Sequence, residues 1–179
     1  MPMTVTCKNA FETRALAEYL ATFLEANDVL LLSGDLGAGK TEFTKGIAAA
    51  FGVAEAVNSP TFNLLLVHEI RAEQVELSAK ALEKLPHSLY HFDLYRLDSS
   101  DQLDDLDYFG LLEDGALSVV EWGDRFGDSL PADYLLITLT SEPTSTPAST
   151  PTSQSESPRT IQIAAYGPRS TQILEQLQT

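Results

Sequence analysis

The run VLLLS (Val29–Ser33) passes directly into GDLGAGKT (Gly34–Thr41). An apolar run without alternation describes a strand covered on both faces, as in the interior of a parallel sheet. Beyond the glycines, Phe43, Ile47, Ala50 and Phe51 recur with helical period, and Gly52 stands where a helix would stop. Gly-x4-Gly-Lys-Thr between a buried strand and a helix is the P-loop pattern in the context it requires. The glycines let consecutive backbone N–H groups turn toward a phosphate, and the start of the helix adds its positive end. Nucleotide contacts are therefore expected from Gly34, Asp35, Leu36, Gly37, Ala38, Gly39, Lys40, Thr41 and Glu42. Lys40 is expected to reach the β- and γ-phosphates, and the Thr41 hydroxyl to bind Mg2+.

The remaining elements agree with an α/β chain. Thr4–Cys7 predicts a strand, and Asn9 with Glu12 three residues on predicts a capped helix carrying Ala15, Leu16, Tyr19, Leu20, Phe23 and Leu24. VNSPTFNLLLVHE is a loop opening onto a strand, with Pro60 disfavouring helix at Ser59. SLYHFDLYRL (Ser88–Leu97) alternates and predicts a strand, as do ALSVVEW (Ala116–Trp122), ADYLLITL (Ala132–Leu139) and IQIAAY (Ile161–Tyr166). A short helix over 169–177 is expected to close the chain. Strands alternating with helices, then strands close together, predict a three-layer P-loop NTPase fold whose mixed sheet has a parallel core and antiparallel additions.

All of this fits one domain over 1–179 with two decorations. Residues 69–87 contain the helix-prone, polar stretch RAEQVELSAKALEK and predict an inserted surface helix. The Ser/Thr/Pro-rich tract 141–158 has no aliphatic side chain larger than alanine, so it cannot offset its ordering entropy and is expected to be a disordered loop between neighbouring strands.

Composition narrows the partners. Twenty-six acidic against eleven basic residues give a net charge of -15, a field that opposes bare DNA or RNA. Asp98, Asp101, Asp104, Asp105 and Asp107 cluster on a predicted helix capped by Ser99 or Ser100, a solvated face first and a docking surface for a basic protein second. No apolar run approaches the ~20 residues of a membrane span. The opening MPMTVTCKNA lacks a basic-then-apolar leader pattern, so a cytoplasmic protein is expected. One cysteine, Cys7, permits no internal disulfide, and His68, His87 and His91 show no metal-ligand spacing.

Magnesium at a P-loop also needs a carboxylate at the end of a neighbouring buried strand. Glu121, after the uniformly apolar LSVV, is the first choice, and Asp93 is expected at the metal through water or at the attacking water. The guanine-reading N-K-x-D pattern does not occur, which favours ATP over GTP. Trp122, the only tryptophan, is read as core packing slightly ahead of a place at the nucleotide.

GDLGAGKT (34–41), SPTF (59–62), HFDLYRL (91–97) and EW (121–122), in that order, resemble the TsaE (YjeE) family, the bacterial ATPase of tRNA threonylcarbamoyladenosine synthesis. The resemblance covers residues 10–140 and the last strand. It implies slow ATP hydrolysis in support of a TsaD–TsaB pair, where TsaD transfers threonylcarbamoyl to adenosine 37 of tRNA. It also implies that Lys40 and Thr41 bind phosphate and Mg2+, and that Glu121 is the metal ligand. Asp93 would lie at the metal or water, Thr61 in a switch-like loop sensing the γ-phosphate, and Trp122 would matter for activity. Arg159, the first basic residue after the tract, aligns with an arginine that approaches the nucleotide. One departure lies in the loop itself: the family usually shows a second Thr after GKT, and here that position is Glu42.

Two other functions fit a bare P-loop. A small-molecule kinase would need arginines around an anionic acceptor and an arginine-bearing lid, whereas the arginines here (14, 71, 96, 125, 159 and 169) are scattered. A non-hydrolysing nucleotide-dependent scaffold would have no use for Lys40, Thr41, Asp93 and Glu121 together.

Overall fold

The computed structural model describes residues 1–71, 83–141 and 157–179. Most of the expected inserted helix and of the Ser/Thr/Pro tract lie outside these residues. Strand β1 (Met3–Cys7) leads into helix α1 (Ala10–Ala21). Asn9 caps this helix, its Oδ1 accepting from the Glu12 backbone N–H at 2.9 Å. The Glu12 carboxylate reaches back to the Lys8 N–H at 2.8 Å, one residue earlier than in a full capping box. Strand β2 (Val29–Ser33) and helix α2 (Lys40–Ala50) flank the glycine loop, and Gly52 adopts the left-handed φ of 66° that ends the helix.

Next come β3 (Leu65–Glu69), β4 (Ser88–Asp93), the one-turn helices α3 (Asp101–Asp105) and α4 (Tyr108–Leu112), and β5 (Leu117–Glu121). Strands β6 (Tyr134–Ser141) and β7 (Arg159–Tyr166) and helix α5 (Pro168–Leu177) complete the chain. The strands form one 7-stranded sheet in the order β1-β7-β6-β2-β5-β4-β3. The run β6-β2-β5-β4 is parallel, while β3 joins one edge and β7 and β1 the other as antiparallel additions. β2 is thus the centre of the sheet, and its apolar residues divide between two cores. Leu30 and Leu32 pack with Phe43, Ile47, Leu20 and Ile173 of α2, α1 and α5; Val29 and Leu31 pack with Leu103, Tyr108 and Leu112 of α3 and α4. Helices on both faces make the three layers, and each large side chain so buried contributes roughly 1.5–3 kcal/mol.

Three boundaries differ from the sequence reading. The strand expected over Ser88–Leu97 stops at Asp93, because Asp93 Oδ1 accepts from the Tyr95 N–H and the Leu97 N–H bonds Leu94 O, which turns the chain. The acidic helix breaks into α3 and α4 at Asp107, which sits in the left-handed region at φ 52°. Neither serine caps it with its side chain; Gln102 Oε1 instead accepts the N–H groups of Asp98 and Ser99. Asp101, Asp104 and Asp105 are exposed around the buried Leu103, as a solvated face requires. Lastly, Ser141 and Arg159 pair across β6 and β7, so the first residue of the Ser/Thr/Pro tract and the residue just after it belong to the ladder.

Candidate functional site

The glycine loop leaves the C-terminal end of β2 through residues that only glycine tolerates. Gly34 has φ 139°, and a Cβ there would run into the Leu139 carbonyl of β6. Gly39, at φ 106°, is the N-cap of α2, and its missing Cβ is the space the Arg159 guanidinium occupies. The first turn of α2 has no side-chain cap, and Gly39, Lys40, Thr41 and Glu42 line the cavity above the loop, an arrangement suited to an anion.

Lys40 is folded back over the loop. Its Nζ donates to the carbonyls of Gly34 at 2.7 Å and Asp35 at 3.0 Å, and lies 3.9 Å from the centre of the Trp122 ring. Burial pushes the lysine below its usual pKa, against the opposing pull of Glu121, Asp93, Asp124 and Asp35. Trp122 is accordingly a wall of the cavity and not a core residue, stacked obliquely on Tyr95 with ring centres 5.1 Å apart.

Asp93 and Glu121 are direct partners in the β4–β5 register, so two parallel strands end with their carboxylates side by side. Thr41 Oγ1 donates to Glu121 Oε1 at 3.0 Å. The same oxygen meets His91 Nε2 at 2.9 Å, and because an ionised carboxylate only accepts, that nitrogen carries the proton. Asp93 Oδ2 accepts from the hydroxyls of Ser59 and Thr61, which ties the SPTF loop to the end of β4. Glu42, on the other side of the loop, pairs with Lys45 Nζ at 2.6 Å and Arg14 Nε at 2.9 Å. Burial alone would raise its carboxyl, yet the two cations hold it below the ordinary range.

These side chains surround a cavity of about 430 Å3. Of the residues expected from sequence, Leu36, Gly37, Gly39, Lys40, Thr41, Glu42, Thr61, Asp93, Glu121, Trp122 and Arg159 line it. Gly34 and Asp35 instead turn their carbonyls to Lys40, and Ala38 is buried in the core.

The chain from residue 7 to 148 matches the family model described as "Threonylcarbamoyl adenosine biosynthesis protein TsaE". This chain belongs to the TsaE family. It is 37% identical over 131 residues to the tRNA threonylcarbamoyladenosine biosynthesis protein TsaE of Bacillus subtilis, which covers 73% of each chain. The protein of the same name in Treponema pallidum is 33% identical over 137 residues, 76% of this chain and 90% of that one. The crystal structure of Bacillus subtilis YdiB superposes with a TM-score of 0.71 at 28% identity, covering 99% of this chain and 95% of that chain. Arg159 and α5 fall beyond the family match but within the extent of that superposition.

Ala10, Arg14, Ser59, His91 and Tyr95 at this TsaE-family site were not singled out by sequence reasoning. Ser59, His91 and Tyr95 lie inside SPTF and HFDLYRL, so the motifs contained the signal. Arg14 belongs to no motif, and only the packing of α1 on α2 brings it to the cavity. Among the described residues no group of three or more His, Cys, Asp and Glu side chains could hold a metal by itself. A hydroxyl beside one carboxylate, Thr41 with Glu121, does fit Mg2+ that takes its other ligands from phosphate and water.

Proposed function

We propose that this chain binds ATP with Mg2+ and hydrolyses it slowly in support of the TsaD–TsaB complex, which forms threonylcarbamoyladenosine at adenosine 37 of tRNA. The observation that carries this reading is the meeting of Lys40, Thr41 and Glu121 in the lining of one cavity of about 430 Å3. In it the loop amides and the start of α2 bind the phosphates, and Lys40 exchanges its two carbonyl bonds for phosphate oxygens. Thr41 and Glu121 hold Mg2+, which neutralises charge on the phosphates. His91 fixes the Glu121 carboxylate from behind. Asp93 orients the attacking water, and the hydroxyls of Ser59 and Thr61, already on its Oδ2, report occupancy to the SPTF loop. With a net charge of -15, the chain meets tRNA only through its protein partners, in the cytoplasm.

The test is ATP hydrolysis by the full chain, alone and with TsaD–TsaB. A weak rate that rises with the partner pair is expected, with Lys40→Ala and Glu121→Ala each lowering it by about 100-fold or more. Rapid phosphoryl transfer to a metabolite, indifferent to TsaD–TsaB, would overturn the reading in favour of a small-molecule kinase.

A further inference from the structure

The cavity has two unlike ends, and the order of strands in the sheet explains why. Asp93 and Glu121 come from β4 and β5, on one side of β2, whereas Arg159 comes from β7 on the other. Arg14, from the first turns of α1, also lines the cavity, and it pairs with Glu42 across the α1–α2 contact. That contact is close: at Gly46 there is no room for a Cβ against the Arg14 carbonyl, so the arginine's backbone is held against α2. With terminal phosphates at Lys40 and Thr41, as proposed above, a preceding phosphate would lie toward the arginine end, where Glu42 is the carboxylate lining the cavity among the described residues.

We infer that Arg14 is a nucleotide-binding residue that contacts the α-phosphate, and that Glu42 is its positioning residue. This rests on the nucleotide reading of the site. A carboxylate in the first turn of a P-loop helix would repel phosphate if it stood alone. Here it sits between two cations, so the trio Arg14, Glu42 and Lys45 keeps one net positive charge. The ion pair engages Arg14 at Nε alone, so a guanidinium of five N–H groups keeps those of both Nη atoms for another partner. Arg14 is also about half exposed, with side-chain accessibility of 47%, so its outer edge is open to a ligand.

The experiment is calorimetric titration of the full chain with ATP and with ADP, for wild type, Arg14→Ala, Glu42→Gln and the double variant. Unfolding curves without nucleotide would verify that each variant is folded. Arg14→Ala is expected to weaken ATP and ADP alike by about 10-fold, the scale of one charge-assisted contact, and Glu42→Gln by about 3-fold through lost positioning. The double variant should bind several-fold more weakly than Glu42→Gln, because a direct contact is lost whether or not Glu42 is present. If it instead bound as tightly as Glu42→Gln, Arg14 would merely neutralise Glu42 and the inference would fail. A loss confined to ATP would place the contact at the γ-phosphate and overturn it equally. Failure of the wild type to bind either nucleotide would refute the nucleotide reading itself, an outcome separate from both.

Discussion

Glu121 Oε1 receives two hydrogen bonds, from Thr41 in front and from the fully buried His91 behind. A carboxylate that is only 3% exposed needs such donors, since an ionised group taken out of water without them would bind a proton instead. His91→Leu keeps the volume and removes one donor. A bond to a charged group contributes roughly 1.5–3 kcal/mol. His91 Nδ1, however, is buried without a hydrogen-bond partner, and that penalty disappears with the ring. The expected net loss is therefore about 1–2 kcal/mol, read as a lower midpoint in urea unfolding. ATP hydrolysis should fall as well, because Glu121 would be held by Thr41 alone. Glu42 presents the opposite case, a charged residue in the first turn of α2 made tolerable by Arg14 and Lys45.

At the level of elements, the site depends on how β2 hands the chain to α2. Gly34 leaves the strand at a φ that side chains rarely adopt, beside the Leu139 carbonyl of the neighbouring β6. Gly34→Ala would meet both the backbone strain and the carbonyl. We expect a loss of about 2–3 kcal/mol, measured by urea unfolding, together with loss of nucleotide binding as the loop is displaced. The same substitution at Gly127 meets nothing within 4 Å and serves as the control for a surface glycine. Elements were also where local patterns misled. Ser88–Leu97 alternates as a strand throughout, but the side chain of Asp93 captures a backbone N–H and ends it early. The acidic helix has helical composition over its length, but Asp107 adopts a left-handed φ that splits it.

Across the whole molecule, Arg169 at the start of α5 ties together segments far apart in sequence. Its Nε and Nη2 bond both oxygens of Asp28 at 3.0 and 2.9 Å, and Nη2 also reaches the Phe23 carbonyl at 2.8 Å. Burial pushes the Asp28 carboxyl above its ordinary range despite the arginine, while Arg169, opposed by burial, is raised by its bonds to Asp28. Two short bonds to one carboxylate decide for a charged pair at neutral pH. Arg169→Ala would leave Asp28 buried and unpaired, at a cost of about 3 kcal/mol. A raised folded-state pKa contributes stability that is complete below the unfolded value and lost as pH rises through the folded one. The deficit of the variant should accordingly shrink between pH 7.5 and pH 4, and an unchanged deficit would show that the charge of Asp28 is not its cause. Taken alone, the sequence determined the glycine loop, the buried strands beside it and the mixed sheet. Those follow from φ preferences and hydrophobic periodicity, which act between near neighbours in the chain. Only the tertiary structure decided that the Thr41 hydroxyl bonds Glu121, the first choice from sequence, that Trp122 leaves the core for Lys40, and that Arg14 finds Glu42. Such pairings depend on strand order and helix packing, which join residues that no local pattern relates.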